Sequence, residues 1–150
     1  MISIVLVDNH PVFREGMKFW IENAGIGKVI AKASNGYEFI DLLHEHTPDL
    51  VIMDLDLPLM NGVQATKVAL SIQPEIKILG TSLQNDLDNY IDMILAGAIG
   101  FMLKTPGNAE FENAIDSVVE GECYFSEDLV QLRKTDNFFI NRETYSLVKG

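Results

Sequence analysis

Five side chains that carry charge or a hydroxyl group follow apolar segments of the chain, and together they indicate phosphoryl-group chemistry. Asp8 follows the first such segment, Asp54 the third, Thr81 and Ser82 the fourth, and Lys104 the fifth. Clustered carboxylates favour a hard divalent cation, for which Mg2+ with oxygen ligands is the usual choice. A carboxylate whose charge is offset can attack a phosphoryl group, while a lysine stabilises the phosphoryl oxygens. The sequence therefore predicts a phosphoryl-transfer site, provided that the fold brings these residues together.

The elements that must position these side chains are strands alternating with helices. Apolar or β-branched segments at 2–7, 29–31, 50–53, 76–79 and 100–103 are predicted strands, and segments of helical spacing lie between them. Pro11 can open the first helix, and Gly62 precedes the third. Nearly continuous apolar strands suit a parallel sheet covered on both faces. We therefore predict an α/β fold, a five-stranded doubly wound parallel sheet that binds its ligands where the strands end.

Composition and charge exclude several classes of function. The chain has 22 acidic residues against 11 Lys and Arg, a net charge of -11 that disfavours direct binding to a nucleic acid backbone. The single Cys123 forbids an internal disulfide, and no Cys/His spacing resembles a zinc site, so we expect a reducing, cytoplasmic location. No apolar segment approaches the ~18 residues of a membrane span. Neither secretion nor membrane insertion is expected.

Three strings of sequence carry a resemblance to a known family. Leu6–His10, Val51–Gly62 and Gly97–Lys104 together resemble bacterial response-regulator receiver domains, in order and spacing, over residues 1 to about 122. The resemblance leans toward the NarL-type subfamily and implies the CheY-like, flavodoxin-like strand order 2-1-3-4-5. We expect residues 1–122 to form the receiver. Residues 123–150 are expected to be a linker or tail, either of a stand-alone receiver or of a truncated regulator with the start of a helix-turn-helix effector.

The resemblance implies a role for each residue of the predicted site. Asp54 would accept phosphate from a sensor histidine kinase, and Lys104 would contact the phosphoryl oxygens. The Mg2+ ligands would be Asp8, Asn9, Asp54 and the backbone carbonyl of Asp56. Such a protein takes part in its own phosphorylation and dephosphorylation but is not an enzyme that turns over a small substrate.

The resemblance also implies a switch. Ser82 stands at the family-typical spacing for the switch hydroxyl, with Thr81 as a secondary candidate, and Phe101 matches the aromatic switch. Phosphate would change the surface near the fourth and fifth helices, so segments 90–95 and 109–119 are candidate docking or homodimer surfaces. DNA would be reached only through an effector domain.

Asn9 departs from the family pattern, which has a second acidic residue at this position. An amide oxygen can ligate Mg2+ but brings no charge, so we expect weaker metal binding and slower phosphorylation. Two functions therefore remain open: a phosphorylated receiver, and a pseudo-receiver that binds proteins without phosphorylation. A hydrolase or flavin protein is disfavoured, because no nucleophile–base pair or Gly-rich loop follows the first strand.

Several residues of the predicted site have a structural alternative. Asp8 and Asn9 could cap the first helix, and Thr81 or Ser82 could make a local turn bond. Lys104 could be a solvated strand end.

Phe101 and the three histidines also have a structural interpretation. Phe101, expected on an edge strand, could serve packing alone. His10, His44 and His46 lack the spacing of a known metal site, and we interpret them as surface or capping residues.

Overall fold

Six strands and five helices alternate in the described part of the chain. The structure, a computed structural model, describes residues 1–83, 87–104 and 108–125. The strands are β1 (Ile2–Val7), β2 (Gly27–Ala33), β3 (Leu50–Asp54), β4 (Ile78–Ser82), β5 (Gly100–Leu103) and β6 (Tyr124–Phe125). The helices are α1 (Pro11–Asn23), α2 (Gly36–Leu43), α3 (Gly62–Ile72), α4 (Leu87–Ala96) and α5 (Asn108–Val119).

The strands form one parallel sheet in the order β2-β1-β3-β4-β5-β6. The predicted α/β class and the order 2-1-3-4-5 are confirmed, but the predicted count of five strands is wrong. Tyr124 pairs with Gly100 and Phe125 with Phe101, which adds a sixth strand beside β5. Two residues are too short for any periodic signal in the sequence. The sheet thus runs past the predicted boundary at 122, and most of the predicted tail, residues 126–150, lies outside the described residues.

The fourth strand lies later in the chain than predicted. The sequence suggested 76–79, whereas β4 covers Ile78–Ser82 and so includes Thr81 and Ser82. Thr81 pairs with Asp54 of β3, and Ser82 pairs with Leu103 of β5. The polar end of β4 therefore continues the sheet, because its backbone finds partners on both sides.

Helices cover both faces of the sheet, as a doubly wound fold requires. One core cluster contains residues of α2, α3 and α4, including Phe39 and Tyr90. The other contains residues of α1 and α5, including Ile21 and Phe111. β3 is buried along its whole length. Among the described helices, none is long and apolar enough to cross a membrane.

Candidate functional site

The ends of β1, β3 and β5 bring three charged side chains into direct contact. Lys104 Nζ lies 2.7 Å from Asp8 Oδ2 and 3.0 Å from Asp54 Oδ2. All three residues are buried, and the Lys104 side chain is only 1% exposed. Lys104 is therefore not a solvated strand end. The sheet brings these three predicted residues together, since the carboxyl ends of parallel strands share one edge.

The charges of this cluster do not balance. Burial raises the pKa of the Asp54 carboxyl, the Lys104 ammonium partly opposes that effect, and the Asp8 carboxylate adds to it. Two ionised carboxylates and one ammonium leave a net charge of -1 in a buried place. Such a site favours a further cation or protonation of one carboxyl group.

The loop after β3 fixes the Asp54 carboxylate. Asp54 Oδ1 accepts a hydrogen bond from the Asp56 backbone N–H at 3.2 Å, while the Asp56 side chain is exposed. Gly62 closes the loop, because its N–H donates to the Leu55 carbonyl at 3.0 Å. A Cβ atom at Gly62 would lie 2.5 Å from the Asp54 carbonyl oxygen. Glycine is thus required where the loop returns to the strand.

The two hydroxyl residues of β4 occupy different surroundings. Thr81 Oγ1 donates to the Met53 carbonyl oxygen at 3.4 Å, so this hydroxyl has a backbone partner on β3. Ser82 is buried, and its carbonyl accepts from the Lys104 N–H at 2.7 Å. Successive strand residues face opposite sides of a sheet, so only one of the two can share the face of Phe101. The role of Ser82 as a switch stays a prediction.

Phe101 is a buried residue of an internal strand rather than of the expected edge strand. Its ring meets Tyr90 edge-on, with 5.7 Å between centroids, and Tyr90 meets Phe125 in the same way at 5.4 Å. A Cβ at Gly80 would approach the Phe101 ring to 2.9 Å. Ser82, two residues after Gly80, therefore shares this face. The packing alternative accounts for the observed position of Phe101, and its switching role stays a prediction.

His10 is a site residue that the sequence reasoning missed. Its Nδ1 lies 3.1 Å from Asp8 Oδ1, 3.1 Å from Lys104 Nζ and 3.6 Å from Asp54 Oδ2. His10 is the N-cap residue of α1, but its side chain makes no capping bond. The interpretation as a surface or capping residue agrees with its exposure and its N-cap position, but it omits these contacts with charged side chains. One local signal was available: the residue before Pro11 is held extended, two positions after Asp8.

Asp8 and Asn9 do not cap α1, contrary to the structural alternative. The N-cap position belongs to His10, whose backbone N–H donates to Asp8 Oδ1 at 2.8 Å. Asn9 is exposed. Arg14 Nη1 donates a hydrogen bond to the Asp8 carbonyl oxygen at 2.9 Å and thereby stabilises the turn between β1 and α1.

The donor set fits a divalent metal ion. One atom each from Asp8, His10 and Asp54 lies within 4.8 Å of the others. The Lys104 ammonium contacts both carboxylates and offsets one of their two negative charges, so the remaining charge favours a further cation. The Lys104 ammonium also contacts His10 Nδ1 at 3.1 Å and lies over the ring of Phe13, 4.4 Å from its centroid.

Comparison with known proteins decides the family. The family described as the response regulator receiver domain matches residues 4–116. The chain belongs to this family. Receiver domains of this family act in two-component signalling, so the coarse prediction of function is confirmed.

Two solved structures support the resemblance of this receiver to the NarL-type subfamily. A two-component response regulator of the LuxR family from Aurantimonas sp. SI85-9A1 superposes with a TM-score of 0.87 at 32% identity, covering 91% of this chain and 98% of that one. The receiver domain of NarL from Mycobacterium tuberculosis gives a TM-score of 0.76 at 27% identity, covering 81% and 98%.

A curated relative is longer than this receiver. The transcriptional regulatory protein DegU of Brevibacillus brevis is 32% identical over 124 residues, which are 82% of this chain but 52% of DegU. The chain thus spans about half the length of that relative.

Proposed function

We propose that this receiver is phosphorylated on Asp54 and that the phosphate changes a protein-binding surface. The observation that carries the proposal is the buried contact of 3.0 Å between Lys104 Nζ and Asp54 Oδ2, beside the second carboxylate of Asp8. Burying a second carboxylate beside Asp8 is costly for the fold, whereas a phosphoacceptor must be shielded and held in place, as Lys104 and the Asp56 N–H hold Asp54.

Asp54 acts as the nucleophile in this proposal. Its carboxylate oxygen forms the bond to phosphorus, and the bond between phosphorus and the imidazole nitrogen of a histidine kinase breaks, returning its electron pair to that nitrogen. Lys104 stabilises the equatorial phosphoryl oxygens. Mg2+, when held by Asp8, Asn9, Asp54 and the Asp56 carbonyl, offsets the negative charge of the reacting groups. The protein is then a phosphoacceptor and not a turnover enzyme.

The output and the partners are part of the same proposal. DegU is named a transcriptional regulator and is about twice as long as the matched region. We propose a sensor histidine kinase as donor, a homodimer or docking partner at the surface of α4 and α5, and DNA contact only through an effector domain. The reducing cytoplasm is the proposed location, since the chain carries a single cysteine.

A pseudo-receiver is the second candidate function, and Asn9 is the observation that favours it. The site lacks one of the two acidic residues expected after β1, while Lys104 already bridges Asp8 and Asp54. Such a protein would bind its partner without phosphate. It predicts partner binding that is indifferent to Asp54→Ala.

Phosphorylation is tested with Mg2+, a small phosphodonor and intact-mass spectrometry. The wild-type chain should gain one phosphoryl group, and Asp54→Asn should gain none. Asp56→Asn is the matched control, because it keeps the backbone carbonyl and removes only an exposed carboxylate. Absence of an adduct at every Mg2+ concentration, or an adduct that persists in Asp54→Asn, contradicts the proposal.

A further inference from the structure

We propose that Phe13 is a positioning residue of the phosphorylation site, because the face of its ring holds the Lys104 ammonium beside the acceptor Asp54. Nζ of Lys104 lies over the Phe13 ring, 4.4 Å from the ring centroid. The inference rests on the proposed function, in which Lys104 stabilises the phosphoryl oxygens. It adds a side chain of α1 to a site whose predicted residues all lie in strands or in the loops that follow them.

The first turn of α1 directs the Phe13 ring toward the lysine. Phe13 follows the N-cap residue His10 by three positions, so both side chains lie on one face of the helix. Both contact the Lys104 ammonium, His10 through Nδ1 at 3.1 Å and Phe13 through its ring. Val12 lies on another face and is 89% exposed. The start of α1 therefore presents one face to the lysine and another to solvent.

The Phe13 ring is itself held in place by the core. Phe13 is half-buried and packs against the core cluster on its side of the sheet. The cavity that it lines together with Leu6, Met17 and Ile52 has a volume of about 10 Å³, close to the smallest that can hold a water molecule. The ring therefore has little room to turn away from the ammonium.

Electrostatics favours the contact between the ring and the ammonium. The electron-rich face of an aromatic ring attracts a cation, and the attraction is stronger when the pair is removed from water. The Lys104 side chain is only 1% exposed, so water competes little for Nζ. A third carboxylate in place of the ring would add to the negative charge of the cluster, whereas the ring holds the ammonium without adding charge.

The contact matters when the acceptor reacts. Nζ donates to Asp54 Oδ2 at 3.0 Å, and in the proposed reaction the lysine moves from this oxygen to the phosphoryl oxygens as Asp54 bonds to phosphorus. A lysine side chain loses much rotamer entropy when it is fixed. The Asp8 carboxylate at 2.7 Å and the Phe13 ring keep Nζ in the site during this exchange. Phe13 thus acts on the reaction through Lys104 and needs no contact with the phosphoryl group.

Phenylalanines that carry one, two or three ring fluorines at position 13 test the inference. Fluorine withdraws electron density from the ring face while the ring keeps nearly the same shape, so the attraction for Nζ falls in steps. The full chain is phosphorylated with a small phosphodonor in Mg2+, and intact-mass spectrometry follows the initial rate. The rate should fall with each fluorine, to about three- to tenfold below the wild type with all three. Phe13→Leu should be slowed by a similar factor, whereas Phe13→Tyr should stay within about twofold of the wild type.

Phe19 provides the matched control, because it lies on the same helix and is 70% exposed. The same fluorinated series at position 19 should leave the rate unchanged. Thermal unfolding of every variant checks that the fold is retained. A rate that is equal across the series at position 13 in folded protein overturns the inference.

Urea unfolding separates the contact with Lys104 from simple packing of the ring. Three fluorines at position 13 should raise the unfolding equilibrium constant about three- to tenfold in the chain with Lys104, and less than about twofold in Lys104→Met. The double variant Lys104→Met, Asp54→Asn serves as a second background without the lysine, because fewer buried charges remain unbalanced in it. An equal effect of fluorine with and without Lys104 means that the ring only packs, and it overturns the inference.

The two proposals fail in distinguishable ways. If Asp54 takes phosphate at a rate that does not depend on fluorination, only the positioning inference is refuted. If no phosphoryl adduct forms in any variant while the effect of fluorine on unfolding requires Lys104, Phe13 still holds the lysine and phosphorylation is refuted.

Discussion

Replacing Lys104 by methionine should destabilise the fold strongly at neutral pH. The ammonium lies 2.7 Å and 3.0 Å from two buried carboxylate oxygens. At an effective dielectric near 20, these contacts are each worth about 6 kcal/mol of gross attraction. Desolvation of three buried ions offsets most of that sum. Removing one partner of a buried ion pair nevertheless costs about 3–5 kcal/mol, because it leaves uncompensated charge behind.

The assay is urea unfolding of Lys104→Met at about pH 7 and about pH 4, where carboxyl groups begin to take up protons. We expect the larger loss of stability at neutral pH. At the acidic pH, protonation of Asp54 removes the negative charge that the lysine balances in the wild type, so the substitution costs less. The double variant Lys104→Met, Asp54→Asn should be more stable than Lys104→Met at neutral pH. A loss below about 1 kcal/mol, or an equal loss at both pH values, refutes the reasoning that these charges are buried and coupled.

Three further substitutions probe the same region. Asp54→Asn should stabilise the protein by about 0.5–2 kcal/mol at neutral pH. Because the pKa of Asp54 is raised in the folded state, the wild type loses stability as the pH rises from the ordinary carboxyl pKa through the folded-state pKa. The stabilisation by Asp54→Asn should therefore vanish in acid, where Asp54 is protonated and uncharged. An equal stabilisation at all pH values contradicts this. Gly80→Ala should cost about 1–3 kcal/mol in thermal unfolding, because its Cβ would lie 2.7 Å from the Met93 methyl carbon and 2.9 Å from the Phe101 ring; a neutral effect contradicts the close packing. Asn9→Asp should raise Mg2+ affinity about tenfold, or 1.4 kcal/mol, measured by titration, and no gain would place residue 9 outside the metal shell.

The meeting of Asp8, Asp54 and Lys104 could be predicted because it depends on topology alone. Apolar segments that alternate with helices require a parallel sheet. The residues that follow its strands all lie at the same edge, where the strands have their carboxyl ends. The long Lys104 side chain then spans the distance from the end of β5 past β4 to Asp54 on β3 and to Asp8 after β1. Long-range placement was therefore easier to predict than local detail.

The prediction of local structure failed where the sequence has no periodic signal. The ring of His10 is directed by the turn between Asp8 and Pro11, and a helix or strand period says nothing about that turn. β6 is two residues long and is recognisable only through its partner. The extent of β4 was misjudged because Thr81 and Ser82 were treated as loop residues, although their backbones pair on both sides.

The short sixth strand has a consequence for how this protein can be trimmed. β5 is buried throughout and carries apolar side chains, and without Tyr124 and Phe125 its residues Gly100 and Phe101 would lose their pairing partners on that side. An uncovered apolar edge is a template on which other molecules can add strands. A chain that stops at residue 122 would keep every charged group of the site and still be prone to aggregate through that edge.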